Sequence, residues 1–170
     1  MIRMNFHFKH NIITASLLAM IPIFFSCAGS EKNIRENKKI ADELISQANS
    51  YWNQRTDAKA LDKAENLILK VLEKKPDQLE HIILLAKIKF TRGYFQVPYP
   101  NQENKLFFEA SELCRNAVVN HPDFLAIYNS IVGDSTEKLL SSLSKAPNSM
   151  LPGLYWWGKN LAHYLNSRPV

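Results

Sequence analysis

The sequence predicts an all-α protein, an irregular repeat array of antiparallel helix pairs (an α-solenoid) with about six helices. Two observations carry this, and a third agrees. First, the chain repeats a phrase. Ala60, Leu61, Ala64, Leu67, Ile68, Val71 and Leu72, closed by Pro76-Asp77, recur 46 residues later as Leu106, Phe107, Ala110, Leu113, Cys114, Ala117 and Val118, closed by Pro122-Asp123. The spacing i, i+1, i+4, i+7, i+8, i+11, i+12 lays all seven on one side of a helix. Second, proline ends each helix, and Asp77 and Asp123 are placed to cap the next. Each copy then reads as the second helix of a pair. Third, only five glycines occur among 170 residues, and no long segment alternates polar and apolar as a half-buried strand does.

The chain opens like an export signal. Arg3 and Lys9 precede an apolar run from Ile12 to Phe25. At about 14 residues the run falls short of the about 20 that span a bilayer. It ends in Phe24-Phe25-Ser26-Cys27-Ala28. A small residue directly before a Cys, at the end of such a run, resembles the lipobox of bacterial lipoproteins. Phe24 and Phe25 stand where that pattern prefers Leu and then Ala or Ser. The resemblance implies cleavage before Cys27 and lipid attachment there, with residues 1–26 as signal, 27–36 as tether and 37–166 as the helical domain. Several acyl chains anchor firmly where one binds marginally. Ala28 in place of Asp leans toward the outer membrane. An ordinary cleaved signal with a chance Cys is the other reading.

In the body, Ile40, Ala41, Leu44, Ile45, Ala48, Tyr51 and Trp52 predict a first helix over about 35–55. Asp57 is placed to cap the second. Together these two helices resemble a tetratricopeptide unit, with Ala64, Ile68 and Val71 at its signature places and Trp52 bulkier than usual. A third helix follows over about 78–95. Gln96 to Asn101 holds two prolines and no helical period. Because that repeat family recurs every about 34 residues, roughly a dozen extra residues are expected around here. They read either as a functional connection or as a spacer. The fourth helix is expected over about 103–120, and a fifth is interrupted at Gly133-Asp134 and resumes at Ser135. Pro152 suits the first turn of a last helix. There Trp156 and Trp157 point about 100° apart, and Gly158 and Ala162 leave room for a neighbour or ligand.

Leu154-Tyr155-Trp156 followed by Asn160-Leu161, with Pro122-Asp123-Phe124 and the long interval, resembles the T-component of TRAP transporters. That resemblance covers most of residues 38–166. It implies an exported lipoprotein facing the periplasm, assembly as a homotrimer, pairing with a periplasmic solute-binding protein, and a pore passing a mainly hydrophobic organic ligand. It implies no enzyme activity and no cofactor. Members of that family continue with more helix pairs, whereas this sequence stops at Val170, so it reads as a shortened relative or a fragment. Phe90, Tyr94, Phe95, Tyr155, Trp156 and Trp157 are the candidate ligand or partner contacts; each also fits a plain core role.

Other functions find little support. Twenty-one basic against 16 acidic residues is too mild an excess for a nucleic-acid binder. No two of the five histidines stand at i, i+4, and no Cys pair or His-Glu-x-x-His run suggests zinc. A Gly-rich phosphate loop and a Gly-x-Ser-x-Gly elbow are absent. Cys114 lies on the apolar stripe and reads as core. Two functions of different class remain: the transport accessory, and a lipoprotein scaffold whose helical groove holds a peptide or assembly factor at the outer membrane.

Overall fold

The computed structural model describes residues 21–96 and 100–166, and the side chains of 35–96 and 102–166. Among the described residues there are seven α-helices, one 3₁₀ turn and no strand. They are α1 (Ile21–Asn53), α2 (Ala58–Lys74), α3 (Leu79–Gln96), α4 (Pro100–Val119), α5 (Pro122–Ser130), α6 (Ser135–Ser144), the 3₁₀ turn Asn148–Met150, and α7 (Leu151–Asn166). The chain divides into two compact units, Met1–Asp42 and Glu43–Val170. The described part of the first unit is the opening stretch of α1. Helical backbone there starts at Ile21, not near Arg35, so the expected tether is helical. No proline interrupts residues 28–36, and Glu31, Lys32 and Glu36 are ordinary helix residues. The lipid site proposed at Cys27 lies outside the described side chains. No helix among the described residues is long and apolar enough to cross a membrane.

In the second unit the repeated phrase lines the core. Leu61, Ala64 and Ile68, and their counterparts Phe107, Ala110 and Cys114, are all fully buried. Ala64 and Ala110 are the small residues that let neighbouring helices approach. At the far end the copies differ by one position. Val71 is buried in the first copy, whereas Val118, the counterpart of Leu72, is buried in the second. The two helices therefore present slightly rotated faces.

Three apolar clusters join the helices. Ala48 of α1, Leu61, Ala64, Ile68 and Val71 of α2, and Leu84, Leu85 and Ile88 of α3 form the first. Ala86 of α3 with Ala110 and Cys114 of α4 forms the second, covered by Trp156 and Trp157 of α7. Val118, Phe124 and Met150 form the third, where α5, α6 and the start of α7 meet the end of α4. Successive helices α2, α3 and α4 pack side by side, and α7 lies against both α4 and α3. That is the place of the first helix of a third pair; α5 and α6 pack on each other as an excursion before it.

Local chemistry sets most boundaries. The Asp57 carboxylate accepts from Lys59 N at 2.9 Å and starts α2. Proline at the start of α4 and of α5 costs no helical hydrogen bond. Asp134 starts α6 through a capping box: it accepts from Thr136 N and Glu137 N, and Glu137 Oε2 accepts in return from Asp134 N at 3.3 Å. Gly133 before it has φ +141°, and a Cβ there would run into the Glu137 carboxylate, so the turn requires glycine.

Two expectations are corrected. Asp77 and Asp123 cap nothing. Helix α3 begins two residues after Asp77, and α5 begins at Pro122, so His121 is its cap and accepts from Asp123 N through Nδ1 at 3.3 Å. Proline at the first helical position moved the cap back by two residues. The long irregular connection is also absent. Only residues 97–99 separate α3 from α4, and the extra residues lengthen those helices instead.

Candidate functional site

One face of α7 carries Trp156, Lys159 and His163, spaced i, i+3, i+7. It meets the last two turns of α3, where Phe90, Thr91, Tyr94 and Phe95 lie, the end of α1, which supplies Trp52, and the turn after it, which supplies Arg55. These nine residues line a cavity of about 440 Å³. The volume is within the usual range for a small-molecule site.

Phe90 is its floor. It is 7% exposed, and four rings surround it. Tyr94 stacks on it at 5.7 Å, while Phe107, Trp156 and His163 meet it at 5.4, 5.6 and 4.9 Å. Tyr94 also contacts His163 and Phe95 edge-on. Such tilted arrangements suit the aromatic quadrupole, negative on the face and positive at the edge. The Lys159 ammonium lies 4.4 Å from the Phe90 centroid and 4.8 Å from that of Trp156. The Arg55 guanidinium lies 5.0 Å from the Trp52 ring centre. Both cations are held by π-faces. No carboxylate lines the cavity. An apolar, aromatic wall thus carries a lysine, an arginine and an imidazole.

The spacing of α7 sets this geometry. A Cβ on Gly153 would sit 2.9 Å from Val118 Cγ2 and 3.1 Å from Leu79 Cδ1. Glycine therefore lets the start of α7 lie close on α4 and α3. Across the site, a Cβ on Gly93 would be 3.1 Å from Phe107 Cε1. Asn160 is fully buried, and its Nδ2 donates to the Trp156 carbonyl at 2.7 Å, tightening the turn that carries the indole.

The chain matches no family model, no curated protein and no solved structure. The reading of this site therefore rests on its chemistry.

Of the six candidate contacts, Phe90, Tyr94, Phe95 and Trp156 stand on the cavity wall. Trp157 does not; it packs over Ala86, Ala110 and Cys114 in the core between α3, α4 and α7. Tyr155 also lies off the wall. It is 59% exposed on the outer side of α7, edge-on to Trp156. Gly158 has nothing within 4 Å of its would-be Cβ and faces outward with it. Sequence reasoning missed Lys159 and His163, although their helical spacing from Trp156 was a usable signal. It also missed Trp52 and Arg55, which only the folding of α1 beside α3 brings in.

A charged cluster supports the other side of α3. Arg92 donates to Asp62 at 2.7 Å and to Glu65 at 2.6 Å, and Lys89 donates to Glu109 at 2.7 Å with Glu65 at 3.7 Å. Burial works against the Arg92 charge, but hydrogen bonds and attraction from Asp62 and Glu65 outweigh it and hold its pKa above the ordinary value. This network fixes the rotation of α3 between α2 and α4, and so the direction in which Phe90 and Tyr94 point.

Among the described residues, no group of three His, Cys, Asp or Glu side chains could hold a metal ion. Cys114 is buried, and desolvation pushes its thiol up to about 12, which suppresses the nucleophilic thiolate.

Proposed function

We propose that this protein is a lipid-anchored accessory of a TRAP-type solute uptake system, facing the periplasm and passing a mainly hydrophobic organic acid. The observation that carries the reading is the aromatic cavity, with Lys159 and Arg55 on its wall and no acidic residue. An apolar body packs against Phe90, Tyr94 and Trp156, and its carboxylate meets the two cations. Charge-assisted hydrogen bonds to such groups are about twice as strong as neutral ones.

Docking of a solute-binding protein is placed on the outer face of α7. Leu151, Tyr155, Leu161 and Leu165 are exposed there at helical spacing, and contiguous exposed apolar surface marks interaction sites. Anchoring through Cys27 and export through residues 1–26 complete the proposal. The competing reading, a peptide-holding scaffold, has no equivalent observation behind it.

The test has two arms. Tryptophan fluorescence, to which Trp52 and Trp156 on the cavity wall contribute, is followed with an aromatic carboxylate and with its neutral amide. The carboxylate should bind at least about tenfold more tightly, and Lys159→Met should remove most of that preference, since a charged hydrogen bond contributes about 1.5–3 kcal/mol. Equal affinity for acid and amide overturns the cavity assignment. Purification from membranes in mild detergent should recover a solute-binding protein. Its absence, with the ligand arm positive, overturns the transport role alone.

A further inference from the structure

A second cavity, of about 530 Å³, opens on the opposite end of the helix pairs and takes no part in the site above. Its walls are Leu69 and Leu72 of α2, Ile82 and Leu85 of α3, and Leu113 and Ala117 of α4. Its mouth is formed by the two equivalent turns of the repeat, Pro76-Asp77 and His121-Pro122, together with Asn116 and Asn120. No Lys or Arg lines it.

The two turns match in sequence but not in use. Asp123 stands 3.8 Å from His121 Nδ1, and its amide donates to that same nitrogen. Asp77, its counterpart 46 residues earlier, is exposed and lies outside any helix, before α3 begins at Leu79. Its carboxylate caps no helix end. The Asn120 side chain folds back along its own helix end, its Nδ2 donating to the Asn116 carbonyl at 2.9 Å. One of its two N–H donors is thereby used, and its Oδ1 remains an acceptor. The mouth thus presents the Asp77 carboxylate, two carboxamides and the His121 imidazole over an apolar pocket, with Asp77 as its only acidic group and no Lys or Arg beside it, an arrangement that asks for a cation on an apolar body.

We infer that this cavity binds a small apolar amine, its ammonium at Asp77 and its hydrocarbon body between Leu72, Leu85 and Leu113. The first cavity has the reverse charge, so the two sites select opposite ions. The inference stands apart from the transport reading, because its residues and its probes are different.

The experiment is NMR titration of the full chain with three matched probes: cyclohexylmethylammonium, cyclohexanecarboxylate and cyclohexylmethanol. The ammonium probe should shift the Ala117 methyl and the Asn116 and Asn120 side-chain amides saturably. The carboxylate probe should act on the same signals at least about tenfold more weakly. Asp77→Asn should weaken the ammonium probe by about fivefold, the ceiling for a half-solvated ion pair, and leave the alcohol unchanged. Asn116→Trp, at an exposed position of the mouth, should block all three while the protein stays folded. Equal binding of the three probes, unmoved Ala117 and Asn116 signals, or an Asp77→Asn variant that binds the ammonium as before would overturn the inference.

Discussion

Replacing glycine by alanine at three positions makes the same chemical change in three surroundings, and the structure assigns a different outcome to each. At Gly158, inside α7, the new methyl meets nothing within 4 Å. Only helix preference acts, and alanine is favoured over glycine by about 0.8–1.0 kcal/mol. At Gly153 the methyl would stand 2.9 Å from Val118 Cγ2 and 3.1 Å from Leu79 Cδ1. Carbon atoms rest about 3.5–4.0 Å apart, and Val118 is fully buried, so it cannot swing away. Overpacking costs about 1–3 kcal/mol. Helix preference offsets part of this, leaving a net loss of up to about 2 kcal/mol. Gly93 falls between them. Its methyl would lie 3.1 Å from Phe107 Cε1 and 3.3 Å from Cζ, and that ring is itself in contact with Phe90 and His163. The expected result there is a loss of at most about 1 kcal/mol.

Urea denaturation followed by tryptophan fluorescence measures all three, with the midpoint moving and the slope constant. The gap between Gly158→Ala and Gly153→Ala should equal the overpacking cost, about 1–3 kcal/mol. If Gly153→Ala stabilised as much as Gly158→Ala, the close approach of α7 to α4 would be wrong, and with it the position of Trp156 and Lys159. If Gly158→Ala destabilised, that face of α7 would not be open.

Three further outcomes follow from the packing. The Cys114 thiol ionises at about 12 in the fold, against an ordinary 9.0, so its contribution to stability is whole below pH 9 and is lost as pH rises toward 12, where the unfolded chain sheds its proton first. The denaturation midpoint of the wild type should therefore fall more steeply above pH 9 than that of Cys114→Ala, and iodoacetamide at pH 8 should label Cys114 only after unfolding. Asp134→Ala removes two acceptor contacts and the capping box, at a cost of about 0.5–2 kcal/mol; amide hydrogen exchange should quicken first at the start of α6. Glu65→Ala leaves Arg92 without its less exposed partner and should cost about 1–3 kcal/mol, whereas Asp62→Ala, whose side chain is 54% exposed, should cost no more than about 1 kcal/mol; equal losses would refute the ranking.

The sequence by itself determined the helices and their buried faces. Periodicity is a local property, so Leu61, Ala64 and Ile68 announce their burial wherever the helix goes, and the repeat 46 residues later announces a second copy. The break before Ser135 was legible for the same reason, since Gly133 and Asp134 act within one turn. Caps were less legible. Asp77 and Asp123 have the right chemistry, but where proline starts the helix the cap is the residue before it, and a shift of two residues changes which side chain serves. The partnership of distant helices was decided only by the tertiary structure. Nothing local says that α7 follows α5 and α6 to lie on α4, that Trp52 and Arg55 arrive beside Tyr94, or that of two tryptophans packed on the same core cluster only Trp156 also reaches the cavity wall. Those placements depend on how small residues such as Gly153 and Ala110 let helices approach, and on contacts between residues far apart in the chain.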